Sequence, residues 1–398
     1  MSFDEHNAAK LSATLKVFGV GGAGCNAVNS MIADNDCAEV EFLVTNTDAQ
    51  ALALSNAPIK IPIGTKISKG LGAGSNPDIG RRAAEEDIDA IIECLKGTEM
   101  LFITAGLGGG TGSGAATVIA NAARQLGILT VGIVTKPFVF EGKRRMKQAE
   151  DAAASLKDAV DTLLIVPNQK LLEFVDPKIS MLDAFAYSNS ILKQAIKGIS
   201  DIIKKPGLIN VDFADVRTVM KDMGMAVMGT GRASGEGRAR TAAMAAISSP
   251  ILENGSIEGA RGILLNITGN HALGLQEIHE AASIVHDLVS EDANIILGSV
   301  IDDEVGDDII VTVIATGFIE EGLNIKQPYT AQMHSAIHNR NRASGIQAQP
   351  NPAQPHYTQQ AQQPQGHKVE TMMSALGNSD ILETPTFMRR KDFEMPPK

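Results

Sequence analysis

The sequence predicts an α/β fold: a parallel-sheet, Rossmann-like unit, a long central helix and a second, mixed α/β domain. Two observations carry that prediction. Short β-branched apolar runs alternate with helix-length segments, as a parallel sheet covered on both faces requires. Two of those runs lead directly into glycine-rich loops that open helices, an arrangement that brings backbone close to a ligand. Composition agrees with both. The 398 residues are 44% apolar, with 38 Gly, 12 Phe, 3 Tyr and no Trp. The core therefore rests on Ala, Val, Ile and Leu, and wholesale disorder is excluded.

Residues 1–12 are polar and read as a flexible arm. Acids stand where a secretory leader would be basic, and no apolar segment follows them, so no leader is expected. From Leu15, LKVFGV reads as a strand, GGAGCNAVNSMI as a helix and EFLVTNTD as the next strand. MLFITAG, the loop LGGGTGSG, a helix over Ala115–Gln125 and the strand ILTVGIVTKPF follow, and the first domain is assigned to 13–177. A long helix is expected within 178–207. Ile191, Leu192, Ala195, Ile196, Ile199, Ile202 and Ile203 recur there at spacings of three and four, and Pro206-Gly207 stops it. VRTVMKDMGMAVMG, RGILLNITG, NIILGSVID and DDIIVTVIATGF predict the second α/β domain over 208–319.

After that the composition changes. Between Gln347 and Gly366 eight of twenty residues are Gln and four are Pro. Such a segment cannot bury enough apolar surface to offset its ordering entropy, so 320–378 is predicted to be a disordered linker. The final stretch, 379–398, sets Leu382, Phe387 and Met388 beside Arg389, Arg390 and Lys391 and reads as a partner-docking tail.

Charge and cysteine usage exclude further classes. A net charge of −11 argues against nucleic acid as the main partner. The apolar stretch Ile309 to Ile319 is too short to cross a bilayer, which takes about 20 residues. Cys25, Cys37 and Cys94 are odd in number and lack metal spacing, so reduced structural thiols are expected. The eight His show no ligand spacing either, and no protein-only metal cage is expected.

Gly19 to Gly24 satisfies GxGxxG between a strand and a helix. Alone this would also fit an NAD-dependent oxidoreductase, with Asp48 as the ribose-binding acid. The second loop shifts the balance. Six glycines stand between Gly106 and Gly114, and Thr111 and Ser113 add hydroxyls. Two such loops in one sheet suit a ligand with several phosphates, a nucleoside triphosphate. No G-x-x-x-x-G-K-[ST] occurs, so a P-loop enzyme is not expected. A third glycine-rich loop, Gly70 to Ser75, could close over the terminal phosphate. Farther on, Asp212 and Asp215 stand three residues apart after the helix stop, on one face if the chain turns helically. By spacing alone Asp212 reads as a helix cap.

These motifs resemble the FtsZ branch of the tubulin/FtsZ GTPase family, over nearly the whole chain from Leu15 to Phe318. The carriers are KVFGVGGAGCNAVN, NTDAQAL, KGLGAGSNPDIG, GGGTGSG, TKPFVFEGKRRM, NVDFADVRTVM and LETPTFMRRK. The resemblance implies a GTP-hydrolysing, self-polymerising protein of the division ring, cytoplasmic and at mid-cell, with Mg²⁺ accompanying the nucleotide. It implies that Gly22, Ala23, Gly24, Cys25 and Asn26, with Gly110, Thr111 and Gly112, line phosphates and sugar, and that Asn26 meets the guanine. Glu141 and Arg145 fall on ribose- and phosphate-side positions; four residues apart, they would otherwise be a helix-surface ion pair. Asn189 is implied as a second guanine contact, beside Ser190, and Phe185 as a base-stacking or core aromatic. Asn210, Asp212 and Asp215 are implied as catalytic, reaching the nucleotide of the neighbouring subunit. A non-catalytic nucleotide-binding scaffold is the other alternative. The tail matches the peptide that binds FtsA- and ZipA-type membrane adaptors.

Overall fold

The computed structural model describes residues 13–318, apart from 35–36, 38, 174, 177, 206, 250–251 and 253–256. The predicted arm, linker and docking tail lie outside the described residues.

In the first half, β1 (Leu15–Val20), β2 (Glu41–Asn46), β3 (Ile59–Pro62), β4 (Met100–Gly106), β5 (Leu129–Lys136) and β6 (Thr162–Pro167) lie side by side in the order 3-2-1-4-5-6. Every neighbouring pair is parallel. All six residues of β1 are buried, as a strand covered on both faces must be. One face carries α1 (Gly21–Asp34). The other carries α4 (Pro77–Glu86), α5 (Ile88–Leu95), α6 (Thr111–Gln125) and α7 (Lys143–Lys157). Short helices α2 (Ala49–Ala53), α3 (Thr65–Ser68) and α8 (Asn168–Leu171) complete the connections.

The predicted central helix is α9 (Met181–Lys204), shorter at both ends than its sequence window. The Ser180 hydroxyl accepts from the Asp183 amide and sets the start. The apolar stripe behaves as its spacing predicts. Ile191, Leu192, Ala195, Ile196, Ile199 and Ile202 are buried in one cluster, with Ile203 packed at its margin. That cluster joins Val131 and Leu164 of the first half to Leu264 and Ile314 of the second, so α9 spans the joint.

The second half contains α10 (Phe213–Met220), β7 (Gly224–Ala233), α11 (Arg238–Ile247), β8 (Gly262–Gly269), α12 (Leu275–His286), β9 (Asn294–Ile301) and β10 (Ile309–Thr316). It is mixed, as predicted: β10 is antiparallel to β7 and β8, and β8 is parallel to β9. Its sheet is not separate, however. β7 pairs in parallel with β6 through Thr162–Gly224, Leu163–Met225 and Leu164–Ala226, so one sheet runs through both halves. An open β6 edge would leave a row of unpaired amides and carbonyls, and those three pairs cover part of it.

Candidate nucleotide site

The two glycine loops meet because of strand order. From β1 the chain winds outward through β2 and β3, then passes back beyond β1 to β4 and continues to β6. The switch point lies between β1 and β4, and crossovers leaving in opposite directions open a crevice at the strands' carboxyl ends. Both loops start there. Gly21, at φ +71°, touches the second loop: a Cβ on it would lie 2.9 Å from the Gly112 amide nitrogen. A Cβ on Gly112 would lie 2.6 Å from the Gly106 carbonyl oxygen. Backbone has no room to yield at such a distance. Gly112→Ala is therefore expected to weaken guanine-nucleotide binding by about tenfold or more, read by displacement of a fluorescent nucleotide.

The crevice holds a cavity of about 250 Å³. Gly22 and Ala23 line it from the first loop, Gly110, Thr111 and Gly112 from the second, and Glu141, Arg145, Phe185 and Asn189 from the opposite side. The loops open α1 and α6, so two helix N-termini with free amides face one cavity, a strong attraction for anions. Arg145 adds a full positive charge. It also pairs with Glu141, so the ion pair expected from spacing forms within the cavity wall. Glu141 is held in turn by the Phe138 amide, at 2.9 Å. Phe185, half-buried, lines the cavity and meets Phe138 edge-on, centroids 5.3 Å apart.

Three implied contacts lie outside the lining. Gly24 packs against β4, where a Cβ would lie 2.4 Å from the Thr104 carbonyl oxygen. The Cys25 thiol points into the core and donates to the Thr45 carbonyl, and burial pushes its pKa up to about 11. Asn26 is exposed on α1. Two hydroxyls are also spoken for. Ser113 accepts from the Gly108 amide at 2.8 Å and thereby shapes its own loop. Thr111 shares a hydrogen bond with Thr47 at 2.7 Å while still lining the cavity. None of the three cysteines is in a disulfide.

Of the two neighbours on α9, Asn189 lines the cavity, whereas the Ser190 hydroxyl donates to the Tyr187 carbonyl. Asn168 and Ser188 line it as well, and the sequence reading passed over both. They are buried and bonded to each other, Ser188 Oγ donating to Asn168 Oδ1 at 2.7 Å. The available signal was positional: Asn168 directly follows the strand TLLIVP, at the carboxyl end where α/β proteins bind ligands. Asp48 does not line the cavity. Its carboxylate caps α2, accepting from the Gln50 and Ala51 amides. The third glycine loop is tied to the same connection, through Gly72 N–H to Thr47 and Ala49 N–H to Gly70, and does not line the cavity.

Asn210, Asp212 and Asp215 are exposed, and none lines the cavity. Asp212 is the N-cap of α10 and accepts from the Asp215 amide at 2.8 Å. From Asn189 to Lys204 the helix rises about 22 Å, so the acids follow the far end of α9 from the cavity. Among the described residues, no group of three or more His, Cys, Asp or Glu is placed to hold a metal ion.

Known proteins share this fold. The tubulin/FtsZ family GTPase domain matches residues 14–176, and the FtsZ family C-terminal domain matches 224–319. The helix α9 and the acid segment fall between the two matches. An FtsZ dimer from M. jannaschii, described as empty, is 40% identical, with a TM-score of 0.74 over 79% of this chain and 93% of that one. Two proteins from Haloferax volcanii share the fold at lower identity. CetZ2, a GTPγS-bound protofilament, is 19% identical at TM-score 0.66, covering 83% of this chain and 99% of its own. CetZ1, a GDP-bound monomer, is 20% identical at 0.67, covering 82% and 99%. With two facing glycine loops at the switch point and both family domains in sequence, the chain belongs to the FtsZ branch of the tubulin/FtsZ family of GTPases.

Proposed function

We propose that this GTPase polymerises head to tail and hydrolyses GTP at the junction between subunits, as the scaffold of a division ring. The observation that carries this is the separation of cavity and acids within one chain. The triphosphate meets the amide-rich ends of α1 and α6 and the charge of Arg145. Asn189 and Asn168 offer amides to the polar edge of the base, where an unmatched analogue would leave buried polar groups unpaired. The carboxylate in this wall, Glu141, is already engaged by Arg145 and the Phe138 amide. Asn210, Asp212 and Asp215 carry the groups suited to orient an attacking water, but at the far end of α9. In a head-to-tail stack the acids of one subunit meet the phosphates of the next. Such a contact does not close on itself and generates a filament.

Exposed apolar residues support both ends of that contact. Val139, Phe140, Met181 and Leu182 stand beside cavity residues in sequence, and Leu208 and Ile209 beside the acids. The M. jannaschii relative is itself described as a dimer. Phosphoryl transfer is mainly positioning and charge stabilisation, so assembly completes the site by placing the water-orienting carboxylates. Mg²⁺ bound with the nucleotide would neutralise β- and γ-phosphate oxygens. It takes few protein ligands in such sites, and the Thr111 hydroxyl, which lines the cavity while bonded to Thr47, would offer it one. GTP, and not GDP, is expected to drive assembly, measured by light scattering and pelleting. Equal pelleting with both nucleotides would contradict the proposal.

The filament is expected in the cytoplasm at the mid-cell division site, held to the membrane indirectly. Among the described residues no helix is long and apolar enough to cross a membrane. The tail 379–398, with its apolar anchors beside three basic residues, supplies the contact to FtsA- or ZipA-type adaptors. Deleting 379–398 is expected to leave GTP turnover and assembly intact and abolish adaptor binding, measured by co-pelleting. Undiminished adaptor binding would remove that role.

A further inference from the structure

We infer that Ser299, a buried residue of β9 far from the nucleotide cavity in sequence, is a positioning residue for the acid segment 207–212. The inference rests on catalysis by Asn210, Asp212 and Asp215 as proposed above. Those three residues are exposed, and short acidic side chains on a free loop would sample many positions. Turnover at a subunit junction requires these polar groups to be held to within a fraction of an ångström. Something in the fold has to supply that rigidity.

Among the described residues, strand β9 is the last in the sheet order. The segment after α9 docks on it. Ile209 and Ser299 form an antiparallel bridge, with the Ser299 amide donating to the Ile209 carbonyl at 3.1 Å. The return bond comes from the Ile209 amide, which donates to the Ser299 hydroxyl at 2.9 Å. Ser299 is 1% exposed, so this hydroxyl is fixed by its surroundings. The contact is close enough to demand glycine on the facing chain, since a Cβ on Gly207 would lie 1.6 Å from the Ser299 carbonyl oxygen.

Three neighbouring contacts complete the mount. The Gly207 amide donates to Asn210 Oδ1 at 2.8 Å, which fixes one member of the catalytic set. Val211 is buried, and Gly298 leaves the room it occupies: a Cβ there would lie 3.3 Å from a Val211 methyl. At the end of α9, Lys205 bridges Asp201 at 3.3 Å and Asp302 at 3.0 Å, tying the helix terminus to the residue that follows β9. Asp212, one residue past Val211, then begins α10. The acids are therefore registered against β9, and among the described residues Ser299 is the side chain of that strand that bonds the segment's backbone.

The test uses the full chain well above its assembly threshold. Ser299→Ala is expected to lower GTP turnover per pelleted subunit by about 3- to 10-fold, the consequence of losing one buried hydrogen bond. GTP affinity and the assembly threshold should stay within about twofold of the parent. Ser299→Thr, which keeps the hydroxyl, should restore turnover, and Gly207→Ala should depress it further than Ser299→Ala. A merely structural serine would instead lower turnover only in proportion to lost polymer or lost folded protein. That result, or unchanged turnover per pelleted subunit, would overturn the inference. Asp212→Asn measured alongside separates the two levels. If it is inactive while Ser299→Ala is normal, only the role of Ser299 fails. If Asp212→Asn turns over GTP at the parent rate, catalysis by the acids fails and the inference with it.

Discussion

Asp212→Asn is expected to bind GTP as the parent does and to lose turnover by about 10²–10⁴-fold, the usual worth of a positioned acid–base group. The choice of Asn matters because Asp212 has two tasks. Its Oδ1 accepts from the Asp215 amide and caps α10, and loss of a cap costs about 1 kcal/mol of stability. Asn caps as well as Asp, so Asp212→Asn keeps the helix start and removes only the charge. Asp212→Ala removes both. If the carboxylate orients water, the two variants should be equally inactive while Asp212→Ala alone melts earlier. A fully active Asp212→Asn would reduce the residue to its capping role. Binding is expected to survive in either case because the nucleotide cavity contains none of this segment.

Turnover per subunit is expected to collapse below a threshold protein concentration, the largest effect that follows from dividing a site between two molecules. Above the threshold each added subunit completes a junction, so the rate rises in step with polymer mass. Below it, the cavity with Gly110, Thr111 and Arg145 should still bind GTP, but its carboxylate, Glu141, is held by Arg145 and the Phe138 amide, and Asp212 and Asp215 do not reach it. Phosphate release and light scattering should therefore share one onset. Mixing sharpens the experiment. Asp212→Asn supplies a sound cavity, and Gly112→Ala supplies sound acids with a damaged cavity. Together they should regain part of the activity that each lacks alone, because some junctions pair the intact halves. Constant specific activity on dilution through the threshold, with no gain on mixing, would place the whole site within one chain.

Particular residues show how far the sequence could be read. The period of three and four from Ile191 to Ile202 specified both the helix and its buried face, since burial of a helical stripe follows directly from 3.6-residue geometry. The glycine loops were legible because repeated glycine is entropically costly and is retained where backbone must approach something closely. The lining divided less predictably. Ala23 and Cys25 are two residues apart on one helix, yet one lines the cavity and the other donates into the core. Ser113 looked like a phosphate ligand by position and instead holds Gly108. Asn168 and Ser188 escaped notice because their importance comes from a bond between chain segments 20 residues apart.

Legible in the sequence alone were the alternation of strands and helices, the glycine-rich turns, the existence and buried face of the central helix, and the family. All of these depend on local periodicity, chain entropy or motif identity, which neighbouring residues encode. Only the tertiary structure decided that β6 and β7 fuse two halves into one sheet, and that Gly21 rests against Gly112. It alone put the acids at the far end of α9 from the cavity and seated their segment on Ser299. Each of these is a meeting of segments distant along the chain. Such meetings are set by strand order and close packing, and no local pattern of residue types carries that information.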